Sequence, residues 1–505
     1  MTKTPLALPE DGIEPRLEEY LDSVFRRPHR LGEFDQSVDW WRLPPLCRLA
    51  EEKFAEAEER KIRRIAFFSE ITRFGGVERV TSILLRLFGA RGYAMSLFTE
   101  SRPNPYEFAV PPGLERVILP QSRAERWRRI RRELERLDVD TCVFCLSSVE
   151  AMYDIICAKM NGVRAIAATH GPFFHPLFEN FAGFVGIRQP CYGIADAVTC
   201  LSRKNLLWWR ASGIGKSAYL PNPLPFDPAV CPKASGRRKR VLFAGRVSEQ
   251  KGALFLPRVF RMVLDGEPDA EFDVLGRLAE DSAGRSFEAS LRKFGVSEHV
   301  RLAGRVPDVS RYLSEAAVHV MPSSYEGFPM VFMEAKAHGV PTVAFEMAYL
   351  EAARPGHGCV MVGKEDVAGM AEAVLRLLRD RDYWEDMSHK AVSSLEEFTD
   401  ELVVAGWDRL FRSIENHSVE KDFAPGETAD NAFLALTLRE YLCGMGKITG
   451  RGRNSYGYLK PVDKFLRWCL PLGSRRRRLG AGLAAIIRRG GHAFRDATRR
   501  LRGER

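Results

Sequence analysis

Between residues 61 and 379, strand-length apolar runs alternate with stretches of helical period, and the whole alternation happens twice. Few architectures accept such a chain: strand, helix, strand in steady succession predicts a parallel sheet covered by helices on both faces. "RRIAFFS" (63–69), "AMSLFT" (94–99), 116–119, 141–146, "VRAIAAT" (163–169) and "DAVTCLS" (196–202) read as strands of a first sheet. The stretches 77–92 and 124–137 read as helices among them. A proline cluster follows (Pro221, Pro223, Pro225, Pro228 and Pro232), with the composition of an interdomain linker. The alternation then restarts with "RVLFAG" and runs through "AEFDVLG", "HVRLAG", "VHVMPS" and "PTVAFE" as strands of a second sheet. Two such sheets in tandem place a ligand at the carboxyl ends of their strands, in the cleft between them.

The expected organisation is a helical N-terminal extension over 1–60, a Rossmann-like domain over 61–220 and a linker over 221–238. A second Rossmann-like domain covers 239–415, and an extension with a basic tail covers 416–505. Apolar residues at Val403, Trp407, Leu410 and Ile414 predict a helix at the end of the second domain. The net charge of +10 belongs to the tail: residues 475–505 hold eleven arginines against one aspartate and one glutamate, so the body is nearly neutral. The tail's arginines flank a short apolar stretch, Leu479 to Ile487, which fits a segment lying on an anionic bilayer better than a nucleic-acid arm. No apolar leader and no run near the ~20 residues of a spanning helix is visible, and ten scattered cysteines suit a reducing compartment. A cytoplasmic protein, peripheral at the inner face of the cell membrane, is expected.

Two short stretches carry the chemistry. In "LFAGRVSEQKG", Gly245 ends a strand, and Arg246 and Lys251 stand at the head of the next helix, where two cations suit a diphosphate or simply face solvent. In "SSYEGFPMVFMEAKAHG", Glu326 lies in the turn after a strand, Pro329 opens a helix, and Glu334 sits about two turns into it. The free N–H groups of that first turn suit an anion. Glu334 reads either as part of a solvated face or as a carboxylate that accepts two ribose hydroxyls.

Together, "GRVSEQKG" and "PSSYEGFPMVFMEAKAHGVPTVA" resemble the family 4 retaining glycosyltransferases of the two-domain GT-B fold, whose signature is this pair of glutamates with seven residues between them. "FGGVERV" (74–80) is similar to the family's glycine-rich loop, and "ATHG" puts His170 where the family often has a cleft histidine. The resemblance covers residues 62 to about 415. It implies that Arg246 and Lys251 bind the donor diphosphate and Glu334 the nucleotide ribose. Glu326, with the amides of Gly327, Phe328 and Met330, would hold the transferred sugar. Gly75 and Gly76 would let the backbone approach the phosphates, and His170 would face sugar and acceptor. The implied partners are a nucleoside-diphosphate sugar, a glycan or lipid-linked acceptor of polysaccharide or lipopolysaccharide synthesis, and the membrane surface; no cofactor, metal or nucleic acid is implied. An epimerase of the same fold and a non-catalytic binding protein are the competing readings. "AKAHG" departs from the family pattern by placing Lys336 in the helix, and "AYLEAARPGHG" replaces its usual Gly-Gly turn.

Other signals are discounted. Asp138-Val139-Asp140 spells a metal-binding DxD but falls at a helix-to-strand junction, and Cys142 and Cys145 point to opposite faces of one strand. Trp208 and Trp209 read as packing. The arginine-rich helix around Trp127, Ile130 and Leu134 reads as a solvated helix on the sheet, with a membrane-facing patch as the alternative.

Overall fold

The computed structural model describes residues 43–426, apart from 72–74, 147, 174–181, 237, 279–281, 348 and 355. The basic tail and residues 1–42 therefore lie outside the described residues. All described residues belong to one compact unit.

Among them are two parallel sheets. The first contains β1 (Arg64–Phe68), β2 (Ala94–Thr99), β3 (Glu115–Ile118), β4 (Thr141–Phe144), β5 (Arg164–Ala168), β6 (Ala197–Cys200) and β7 (Ser217–Tyr219). Their order is β3-β2-β1-β4-β5-β6-β7. The second contains β8 (Arg240–Ala244), β9 (Glu271–Leu275), β10 (Val300–Gly304), β11 (Val318–Met321), β12 (Thr342–Phe345) and β13 (Cys359–Val362), in the order β10-β9-β8-β11-β12-β13. Each is the doubly wound order, in which the chain reverses direction beside its first strand. The strands are short and buried on both faces, so they read as continuous apolar runs: all of β4, β6, β11 and β12 is buried. The sequence reading missed β7, the shortest strand, and β13, in which only Cys359 is buried.

The connecting helices start where the sequence supplies a cap. Ser148 accepts a hydrogen bond from Ala151 N and Ser202 from Asn205 N, each satisfying a free amide of a first turn. The arginine-rich helix spans Arg123–Arg136 and buries Trp127, Ile130 and Leu134. Arg126 is buried as well, with Asp154 at 2.7–3.1 Å and Glu100 at 2.7 Å. Glu133 is ringed by Arg129, Arg132 and Arg136. Part of this helix's charge is thus spent on internal pairing.

The helix with the Val403 stripe, Asp400–Glu415, does not complete the second sheet. Trp407, Leu410, Phe411 and Ile414 join the core of the first, where Phe88 meets the rings of Trp407 and Phe411 edge-on at 5.5 and 5.6 Å. The proline-rich linker is stitched down too: Lys233 Nζ donates to Ala337 O (2.7 Å) and Ala234 N to His338 O (2.8 Å). Trp208 stacks on Phe173 at 3.9 Å and Trp209 is buried, so both pack, as their sequence context predicts.

Candidate active site

The turns after β8 and β11 leave adjacent strands at the point where the second sheet changes direction, which is why residues 75 positions apart meet. They are tied by one backbone bond and one side-chain bond: Ser324 N donates to Gln250 O (2.8 Å), and Gln250 Nε2 to Tyr325 O (3.2 Å). Gly252 seals the joint. Its φ is +64°, and a Cβ there would fall 1.8 Å from Pro322 O, so no side chain fits. Lys251 Nζ then reaches both Glu326 oxygens, at 2.7 and 3.0 Å. The residues expected to hold diphosphate and sugar therefore pair with each other. Arg246 is exposed and bound only loosely at its tip, to Gln250 Oε1 (3.1 Å).

Glu326 stands in the turn that leads to the helix Met330–Ala337, and Glu334 lies within that helix. Glu334 is 3% exposed, which removes the solvated-face reading. Burial raises its pKa, and the guanidinium of Arg79, hydrogen-bonded to it, pulls in the opposite direction. Arg79 comes from the first half of the molecule, in the helix Gly76–Ala90. Its other nitrogen donates to Pro225 O of the linker (3.2 Å), and its guanidinium lies 5.4 Å from the Phe226 ring.

Glycines let the backbones of the two halves come together. A Cβ on Gly327 would fall 1.8 Å from His170 O, and one on Gly76 would touch the Met330 side chain at 3.4 Å. Gly76 and Met330 are the first residues of their helices, so two helix N-termini meet here. Gly75 caps the first of these, and the Glu78 carboxylate folds back over it. Burial raises the Glu78 pKa, although a bond to its own amide opposes that. His170 has both ring nitrogens buried and without a hydrogen-bond partner among the described residues; burial lowers its pKa to about 4, so the ring is neutral at physiological pH. The Phe328 ring packs edge-on against Phe398 at 5.6 Å, which leaves only its backbone for a ligand.

Arg79 escaped the sequence reading, although it stands three residues after Gly76 in "GGVER" and so at the same helix end. The replacement turn after β12 also contributes. Tyr349 Oη accepts from Glu326 N (3.3 Å), and Glu351 accepts from Arg203 N (2.8 Å) and Arg203 Nη1 (3.1 Å) in the other half. Asp138 and Asp140 precede β4, at the end of the sheet away from the cleft. Asp138 pairs with Arg60 (2.7 Å), and Asp140 accepts from the amides of Arg63 and Arg64 (2.8 and 2.7 Å). Both are structural.

Known proteins resemble this chain in sequence and in fold. Residues 238–380 match the family model described as glycosyl transferases group 1. An uncharacterized glycosyltransferase of Haemophilus influenzae is 23% identical over 370 residues, 68% of this chain and 99% of its own length. An exopolysaccharide phosphotransferase of Streptomyces coelicolor is 26% identical over 287 residues, 55% of this chain; the aligned segment spans only 29% of that protein. Among solved structures, HepE of Anabaena in complex with UDP and glucose superposes with a TM-score of 0.58 at 14% identity, covering 69% of this chain and 99% of its own. In fold the chain is thus similar to the GT-B glycosyltransferases, and over residues 238–380 it matches the model of their group 1.

Proposed function

We propose that this glycosyltransferase moves a sugar from a nucleoside diphosphate to a glycan or lipid-linked acceptor in cell-surface polysaccharide synthesis, with retention at the anomeric carbon and without a metal ion. The observation that carries the reading is the convergence of Lys251, Glu326 and the buried Glu334 beside two helix N-termini. When the bond from anomeric carbon to diphosphate oxygen breaks, negative charge grows on the leaving diphosphate and positive charge on the sugar. Lys251, Arg246 and the helix amides oppose the first, which is the work a metal does in other transferases. Glu326 is placed for the sugar, and Glu334, shielded from water, for the ribose hydroxyls. His170, neutral at pH 7, offers a hydrogen bond to the sugar rather than a charge.

The acceptor class rests on lesser support. One relative is named for exopolysaccharide, and the basic tail has the composition of a segment that attracts an anionic surface. Among the described residues no helix is long and apolar enough to cross a membrane.

A thermal-shift screen across nucleoside diphosphates and their sugars tests the donor, because a ligand of the folded state raises its melting temperature. One base family should stabilise the protein; no shift with any would sink the reading. Transfer assays should then keep full activity in EDTA. Activity lost in EDTA and restored by manganese would refute metal independence, and conversion of the sugar nucleotide without an acceptor would favour the epimerase.

A further inference from the structure

We propose that Arg79 is a latch which the donor nucleotide must release: it is paired with Glu334 and yields that carboxylate to the ribose. The proposal rests on the reading of Glu334 as the nucleotide carboxylate.

Three observations point to it. First, Glu334 is almost wholly buried, its side chain 5% exposed, and Arg79 is the cation that reaches it. A carboxylate so placed needs donors on its oxygens, and here a residue of the opposite half supplies them. Second, Arg79 is more open than its partner, with a side chain 28% exposed, so it can leave by moving toward solvent while Glu334 stays fixed in its helix. Third, Arg79 has somewhere to stay: Pro225 O at 3.2 Å and the Phe226 face at 5.4 Å hold the guanidinium without Glu334.

The neighbouring groups follow the same pattern. Glu78, the preceding residue, lays its carboxylate over Gly75 at the helix N-terminus, and Lys251 occupies Glu326. Protein cations thus cover both glutamates, and a protein carboxylate covers the N-terminus of the helix Gly76–Ala90. A nucleoside diphosphate carries both complements, hydroxyls for Glu334 and phosphates for the helix end and cations. It can exchange with all three contacts at once, whereas a free sugar or free phosphate meets only part of the set.

Because ribose and Arg79 compete for one carboxylate, the apparent affinity for nucleotide is reduced by the fraction of molecules in which the latch is shut. Removing the latch should therefore tighten binding, the reverse of what removing a ligand-contacting arginine does. The linkage also runs the other way: nucleotide should loosen the hold of the first half on the helix Met330–Ala337 at this point.

The test compares the wild type with Arg79→Gln and Arg79→Lys. Titration calorimetry uses the nucleoside diphosphate that gives the largest thermal shift, and hydrogen exchange follows 75–80 and 330–337 without ligand. Arg79→Gln should bind the diphosphate about tenfold more tightly and exchange faster in both segments, with Arg79→Lys between it and the wild type. Weaker binding in Arg79→Gln would overturn the latch and make Arg79 a donor ligand. Unchanged exchange would overturn it too, since no hold would have been released. If the wild type bound no diphosphate while Arg79→Gln still exchanged faster, the nucleotide reading of Glu334 would fail. Arg79 would then be a joint between the halves and no latch.

Discussion

At the scale of single residues, the two glutamates divide their work by environment. Glu334 is sealed in its helix beside the linker, while Glu326 sits in a turn with Lys251 at 2.7 Å. Glu334→Ala should cost nucleoside diphosphate binding about 1–3 kcal/mol, the range of a lost charged hydrogen bond. Glu326→Ala should leave that affinity nearly intact, because it frees Lys251 for phosphate, and lower turnover instead. Calorimetry with diphosphate beside steady-state kinetics checks both; equal loss of affinity in the two variants would refute the division. Lys336, two positions past Glu334, is a different case. It is fully buried, its ammonium donates to Ser394 Oγ (2.8 Å), and burial brings its pKa down to about 8 from 10.5. Between those values the unfolded chain binds more protons, so stability should rise with pH from about 8 to 10.5, and below 8 the full cost of the buried charge is present. Lys336→Met should then stabilise the protein at pH 7 by up to about 3 kcal/mol and abolish that rise. Ser394 keeps its bond to Ala391 O, so no hydroxyl is orphaned. Denaturant melts at pH 7 and 10 measure this, and a destabilised variant at pH 7 would show that the ammonium is wanted where it is.

At the scale of elements, what the sequence made legible was whatever period and punctuation encode. The strands Arg64–Phe68, Ala94–Thr99 and Arg240–Ala244 and the helix Gly76–Ala90 stand where apolar runs and stripes put them. The helices Val149–Met160 and Ala182–Gly193 were not read. The first is buried nearly all round and so lacks an amphipathic stripe, and the second contains Pro190, which breaks the pattern without ending the helix. Glu326, Glu334 and Lys251 were legible as a set through the resemblance of their two turns to a known family, since the residues alone left solvated readings open. Arg79, Tyr349 and Glu351 were not, since each acts through a partner more than twenty positions away that only the folded topology supplies. The helix Asp400–Glu415 combines both cases: its stripe was plain in the sequence, but not the sheet it would cover. Trp407 there is 4% exposed, against Phe88 of the first half. Trp407→Ala should destabilise by about 3–5 kcal/mol, as for a large buried aromatic. Differential scanning calorimetry would show it as a lower melting temperature, and loss below about 1 kcal/mol would mean the helix is not integral to that core.

At the scale of the whole molecule, the basic tail concerns where the enzyme works. Each arginine near an anionic surface contributes up to about 1 kcal/mol, so the tail should hold the protein on anionic vesicles and release it in salt. Sedimentation with liposomes, using the full chain and one ending at Gly473, decides it; equal binding by both would leave the tail without that role and turn attention to the helix Arg123–Arg136. Within the described residues, the chain passes between the halves twice. It leaves the first sheet through the proline-rich linker, and it returns through Phe398 and Thr399 into the helix Asp400–Glu415. A single tether would let one half swivel in any direction about the other. Two crossings leave the halves fewer ways to move apart than one would, and the pairs Arg79–Glu334 and Arg203–Glu351 add two side-chain ties across the same seam.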